Sequence, residues 1–330
     1  MPSFRTGTVT DVLLERDGMQ RVLVDGEPAY ALTELVGPID VGDFVIVNTT
    51  AVELGLGTGG QHVVHWNLSY DGWKSDSPGH VMKLRYASNQ LQTRALGSDL
   101  STLEGMPVIV ADLHSQLAAI AVAFKAATDA KLAYVMTDGG ALPLALSDLV
   151  WELRARDLID LRITAGNAFG GDVEAVSVYD ALAVAREQAD AVVVAMGPGS
   201  VGTGTTLGFS GIDVGAALNA AGALNGQPIA ALRASNADPR ERHRGISHHS
   251  VTALTLATHV RAAVAVPEGL DVDPEIEDRH EIVRVPECGI VAKMHAAGLE
   301  VASMGRPAAD DPILFECAAA AGTVAAQRLP

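Results

Sequence analysis

Basic residues are scarce in this chain: 23 Lys and Arg stand against 40 Asp and Glu, a formal charge of −17. That balance disfavours a nucleic-acid partner or an anionic membrane surface, because neither gains by meeting a negative protein. Cysteine is equally sparse. Cys288 and Cys317 are the two present, which excludes a disulfide framework and makes a reducing cytoplasm the expected compartment. Aromatic side chains amount to 4% within a hydrophobic content of 48%, so the core must be built from Ala, Val and Leu. No unbroken apolar run reaches the length of a membrane span, and the opening MPSFRTGTVTDV has no signal-peptide apolar segment. What is present is enough chain, 330 residues, for a sizeable core and two domains.

Residues 1–100 read as a β-rich, barrel-like domain. Gly7–Glu15 and Gln20–Val24 flank an Asp17-Gly18 turn, and Asp25-Gly26 offers a second turn before Pro28–Leu32. Gly42–Asn48, His62–Leu68 and Val81–Tyr86 complete the set of short strands, with the loop Gly55-Leu56-Gly57-Thr58-Gly59-Gly60 between two of them. His62 and His65 have a metal-like spacing, but strand geometry sends them to opposite faces, so two ordinary strand histidines are expected.

From residue 105 to 330 the pattern becomes strand, helix, strand, which predicts a mostly parallel, Rossmann-like sheet with helices on both faces. The strand readings are Pro107–Asp112, Lys131–Thr137, Leu158–Thr164, Ala191–Met196, Pro228–Arg233, Arg261–Val266, Glu281–Val285 and a final Leu299–Met304. Helices are expected over Ser115–Thr128, Pro143–Arg156, Ser177–Gln188, Gly211–Leu224 and Ser247–Val260, with a last one entered through Asp311 and Pro312.

The organising stretch is AVVVAMGPGSVGTGTTLGF, a buried strand running into a glycine-rich loop ahead of a helix. Gly197, Gly199, Gly202 and Gly204 let a ligand approach the backbone, and Thr203, Thr205 and Thr206 add hydroxyl donors, so an anion site is one reading. A mobile surface loop or a subunit contact is the other. The loop lacks the Gly-Lys-Ser/Thr ending of a P-loop, and Ser210 with Asp213 reads as a cap that fills the next helix N-terminus.

In an open parallel sheet, ligands bind beyond the carboxyl ends of the strands. Those ends here are followed by Asp112, His114 and Ser115, by Asp138 and Gly139-Gly140, by the glycine-rich loop, and by a segment holding Arg233, Arg240, Arg242 and Arg244. Four arginines within twelve residues of an acidic chain point to an anionic group, because guanidinium pairs with phosphate or carboxylate in two places at once. The ligand contacts predicted there are Arg233, Arg242 and Arg244. His114 or His248, paired with Asp112 or Asp138, would supply general acid–base chemistry. His248 and His249 are adjacent, about 100° apart on a helix, and are not expected to serve one site. Together with His114 they lack further ligands at metal spacing, so no metal site is expected, and nothing names a cofactor.

The combination MGPGSVGTGTTLGF, then RHRGISHHS, behind NTTAVELGLGTGG, resembles a bacterial family of unknown function, domain-of-unknown-function family 3866, over nearly the full chain. The resemblance implies a self-contained bacterial cytoplasmic protein and carries no activity or catalytic residue with it. The reading is therefore a protein that binds or converts an anionic small molecule (phosphorylated, nucleotide-like or carboxylate) at the glycine-rich loop and arginine segment. A sensing module without turnover and an oligomeric scaffold are its rivals. Ala- and Gly-rich helices such as Gly211–Leu224 and Ala318–Ala326 add an expectation of self-association.

Overall fold

The computed structural model describes residues 2–56, 59–75 and 79–330, so Gly57 and Thr58 of the first glycine-rich loop lie outside the described residues. The chain divides into two units, Met1–Arg94 and Ala95–Pro330.

The first unit is a closed barrel of five strands: β1 (Phe4–Arg16), β2 (Met19–Val24), β3 (Glu27–Ala31), β4 (Phe44–Asn48) and β5 (His62–Asn67). Their order is β1-β2-β3-β5-β4, closed by β1 against β4, with β3 and β5 parallel and the other pairs antiparallel. This is the connectivity of a five-stranded OB-type barrel. Alternate residues point inward, and Val9, Val22, Val24, Ala29, Val45, Val47 and Val64 fill the interior. The β2–β3 turn needs two left-handed residues, which Asp25 (φ 50°) and Gly26 (φ 83°) supply. His62 is buried against Glu27 while His65 lies against Phe4, so the two histidines diverge.

The second unit carries an eight-stranded, all-parallel sheet. Its strands are β6 (Pro107–Ala111), β7 (Leu132–Thr137), β8 (Leu161–Thr164), β9 (Val173–Glu174), β10 (Ala191–Met196), β11 (Gln227–Ala231), β12 (Ala263–Pro267) and β13 (Glu281–Val285). They lie in the order β9-β8-β7-β10-β6-β11-β12-β13. The central strands are uninterrupted apolar runs because both faces are covered. In β6, Ile109 and Ala111 face α1 (Gln116–Ala127) and α5 (Pro312–Gln327); Val108 and Val110 face α3 (Val178–Gln188) and α4 (Asp213–Ala223). A further helix, α2 (Asp148–Ala155), lies on the first face.

The crossing of α1 and α5 depends on Gly322. A Cβ there would stand 2.4 Å from the backbone oxygen of Ile120, which cannot rotate away. Gly322→Ala should therefore lower stability by about 1–3 kcal/mol, against the ~1 kcal/mol gain that alanine brings to a helix interior. Thermal denaturation checks this; an unchanged or raised Tm would mean that the two helices separate freely. Small faces on α4 are used in the same way, with Gly215 against Ala257 and Gly222 against Val260. The small faces of α4 and α5 are thus used for packing within the chain.

Several local readings change. Ser210 does not cap α4: its hydroxyl accepts from Val201 N at 3.2 Å, and α4 begins after a 3-10 turn without a side-chain cap. Asp311 precedes α5 but its carboxylate accepts from Ser235 and Asn236 instead. Leu299–Met304 contributes no strand to the main sheet; only Ala302–Ser303 is a strand, paired antiparallel with Arg306–Pro307 in a separate two-stranded sheet. The helix expected over Ser247–Val260 is a short α-helix, α6 (His248–Thr252), which widens into a π turn at Ala253–Ala257. No helix among the described residues is long and apolar enough to cross a membrane.

Candidate functional site

β6 and β10 are neighbours whose connections leave in opposite directions and onto opposite faces. From β6 the chain enters α1 on one face and returns at β7; from β10 it enters α4 on the other and returns at β11. Such a reversal opens a crevice beyond the carboxyl ends of the strands. The residues predicted from the sequence fall on its two sides.

On the α1 side, His114 lines a cavity of about 540 Å³ together with Ser115, Gly197, Gly199, Ser200 and Ser303. Gly197 is pinned from below, since a Cβ there would meet the Ala141 carbonyl oxygen at 2.3 Å, and Gly199 adopts φ 99°. Ser115 occupies the N-cap of α1 without capping it; its hydroxyl donates to Ser303 Oγ at 2.8 Å. His114 is held at both nitrogens. Nδ1 lies 3.2 Å from the Met196 carbonyl and 3.1 Å from the Tyr134 hydroxyl, and Nε2 lies 2.6 Å from Ser147 Oγ. Burial pushes its pKa down to about 4, despite the Met196 carbonyl contact, so the imidazole is neutral at pH 7. An Nδ1–H donated to Met196 leaves Nε2 as the acceptor of the Ser147 proton. Ser147 is itself buried and accepts from Val150 N at the start of α2, which makes it a positioning group for His114.

The expected partners of His114 are elsewhere. Asp138 is exposed and accepts from Asn167 N at 2.9 Å, tucked against Gly166. Its charge, after burial, helps hold the Asp213 carboxyl above its ordinary value. Asp213 went unassigned in the sequence because its place after Ser210 reads as a helix cap.

On the α4 side, Asp112 is buried and pairs with Arg233 Nη1 at 3.1 Å; the same guanidinium reaches His249 Nδ1 at 3.0 Å. Burial alone would push the Asp112 carboxyl up, but the His249 contact and the Arg233 charge hold it below the ordinary carboxylate range. A Cβ at Gly211 would stand 1.7 Å from Asp112 Oδ1, so only glycine lets the chain close over this carboxylate. Arg233 is thereby committed to the protein's own groups and offers no fork to a ligand. Arg240 pairs with Asp238, and Arg244 Nε donates to the Asp238 carbonyl. Arg242 is exposed, reaches Gly204 O at 3.4 Å, and has no carboxylate partner among the described residues.

The two sequence motifs meet here. Residues Val201–Ser210 fold into a small hairpin, closed by Thr203 N to Gly208 O at 2.7 Å and bridged at Gly202 and Phe209. The hydroxyls of Thr203 and Thr205 bond to each other at 2.9 Å, and Gly208 N donates to Thr205, so both are spent inside the turn. Phe209 then stacks flat on His249, with ring centroids 3.8 Å apart. His248 and His249, which helix geometry was expected to separate, have centroids 4.4 Å apart, and His243 lies 4.9 Å from each. The reason is that both histidines stand at the very start of α6, where side chains splay toward the preceding loop. Burial, then the Arg233 and Arg240 charges, push His243 down to about 4; burial and His249 lower His248. His243 carried no role in the sequence reading, its signal hidden among arginines. Cys288 is half-buried, and burial followed by Glu316 raises its thiol, as suits an inert cysteine.

Comparison with curated proteins and with solved structures gives no match to this chain. A family match extends over residues 28–322, from the third barrel strand through the whole sheet and both motifs. The chain belongs to the protein family of unknown function DUF3866.

Proposed function

We propose that this protein binds, and acts on, a small molecule carrying one anionic group, held in the cavity beside His114. The observation that supports this most is the cavity's position: about 540 Å³ at the strand-order reversal, floored by the start of α1 and by Gly197–Ser200. The twelve-residue α1 brings partial positive charge to its N-terminus, where Ser115 makes no side-chain cap. Backbone N–H groups of the glycine-rich turn add donors that cost no side-chain entropy to order. The anionic group is phosphate or carboxylate.

The far wall limits the rest of the ligand. Asp148, Glu152 and Glu300 line it against a single Arg156, whose guanidinium is already spent on Glu152 and the Ala297 and Gly298 carbonyls. A polyanion is repelled there, so the body of the ligand is neutral or carries an amine. His114, neutral and with Nδ1–H turned to Met196, is the proton acceptor for the reaction once the Ser147 hydroxyl rotates away from Nε2. This favours an enzyme over a sensor, because a pure binder gains nothing from a base with its tautomer fixed.

The test is incubation of wild type and His114→Asn with a mixture of phosphate monoesters, nucleoside monophosphates and amino-acid-like carboxylates, followed by mass spectrometry. Wild type should deplete at least one compound, and His114→Asn should do so about 10²–10⁴-fold more slowly while keeping the ligand-induced rise in Tm. Equal depletion by both proteins would remove His114 from the chemistry. A Tm rise without depletion by either would make the protein a sensor.

A further inference from the structure

We propose that His243, His248 and His249 form a three-histidine site for a divalent transition-metal ion, separate from the His114 cavity. One ring nitrogen of each histidine lies within 4.8 Å of one from each of the other two. Zinc–nitrogen bonds of about 2.0–2.1 Å place donors about 3.4 Å apart, so small side-chain rotations bring the three onto one ion. Imidazole is a ligand that zinc, copper, iron and nickel all accept.

The surroundings are those of a supported site. His248 Nε2 is buried and has no hydrogen-bond partner. Outer groups orient two of the rings, as second-layer partners do at metal histidines. Ser247 Oγ lies 2.7 Å from His243 Nδ1, and the Asp112 carboxylate lies 3.6 Å from His249 Nδ1. Arg233 Nη1 now donates to His249 Nδ1 at 3.0 Å, so metal binding through His249 Nε2 requires that bond to give way and an Nδ1–H to turn to Asp112 instead. Phe209, stacked on His249 and edge-on to His248, fixes the ring planes and shields them from water.

Nearby positive charge is the main objection, and it is partly neutralised. Arg233 is paired with Asp112 and Arg240 with Asp238, leaving Arg242 and Arg244; Arg242 is exposed, and its Nε donates to His243 Nε2 at 3.5 Å, a bond that the ion would displace. The Arg242 charge disfavours a bare cation at short range but favours an anion as the ion's remaining ligand. That would explain in physical terms why the hairpin of the glycine-rich loop and the RHRGISHHS segment are bound to each other.

The experiment is titration of chelator-treated full-length protein with Co²⁺ alone, read by visible absorption. Saturable binding with the d–d bands of a low-coordinate nitrogen site, displaced by Zn²⁺, is expected. Loss of a second-layer partner commonly weakens a metal about 10–100-fold, so His248→Ala should weaken Co²⁺ by about 100-fold or more. His248 makes no polar contact through Nε2, so this variant should fold; circular dichroism checks that, and His248→Gln serves if it does not. No saturable binding by wild type, or equal affinity and spectra in wild type and the His248 variant, would overturn the site.

Discussion

Arg233→Met is expected to destabilise the second unit by about 3–5 kcal/mol, the cost of breaking a buried pair from one side. The guanidinium is buried with its partner: Arg233 and Asp112 are 4% exposed each. Removing it leaves an ionised carboxylate under Gly211 with one oxygen, Oδ1, already lacking a hydrogen-bond partner. It also strips His249 Nδ1 of the group 3.0 Å away. Removing both charges is a different perturbation. Asp112→Asn with Arg233→Met should recover most of the loss, since a neutral pair has no charge to strand. Urea denaturation of the two variants makes the comparison. Single and double variants falling equally would show that packing, not charge, dominates here.

The second large effect is in pH. His114 binds its proton with a pKa near 4 in the folded protein, against 6.5 for an ordinary histidine. Above pH 6.5 the imidazole is neutral in both states and contributes no pH dependence. Between about 6.5 and 4 the unfolded chain takes up a proton that the folded chain refuses, so stability falls as the pH falls. At about 1.4 kcal/mol per pH unit the total is about 3 kcal/mol. His114→Gln should flatten the wild-type curve of stability against pH by that amount over this window. His243 contributes in the same direction in both proteins, so the difference isolates His114. Parallel curves would mean that the His114 site admits the charged form.

How much of this could be read from the residues alone depended on whether the signal was periodic. The central strands were legible because burial on both faces writes continuous apolar runs: Ala191–Met196 matches residue for residue. Ser177 capping the helix at Val178 was legible because a cap is a local bond, to Asp180 N. Caps failed where a distant partner won. Asp311 has good N-cap form, yet a hydroxyl and an amide 75 or more residues away claim its carboxylate. The short edge strand Val173–Glu174 has too few residues to show a period.

The site was half legible for the same reason. Parallel strands put His114, the glycine-rich loop and the arginine segment on one edge, but sequence does not tell which face of the sheet each side chain takes. Alternation along β6 and its exit decides it: Asp112 is directed to the α4 side and His114 to the α1 side. One predicted crevice thereby becomes two groups of residues. The charge pairing of Arg233 could not be read either, because its partner lies 121 residues away.

The most direct measurement is calorimetric binding of a small-molecule anion from the panel to wild type and to Ala302→Trp. Ala302 is exposed and lines the cavity, so an indole there fills the space without disturbing the core. Wild type is expected to bind, and Ala302→Trp to lose at least tenfold in affinity, about 1.4 kcal/mol, with Tm unchanged in the absence of ligand. Undiminished binding by a folded Ala302→Trp protein would place the ligand outside this cavity.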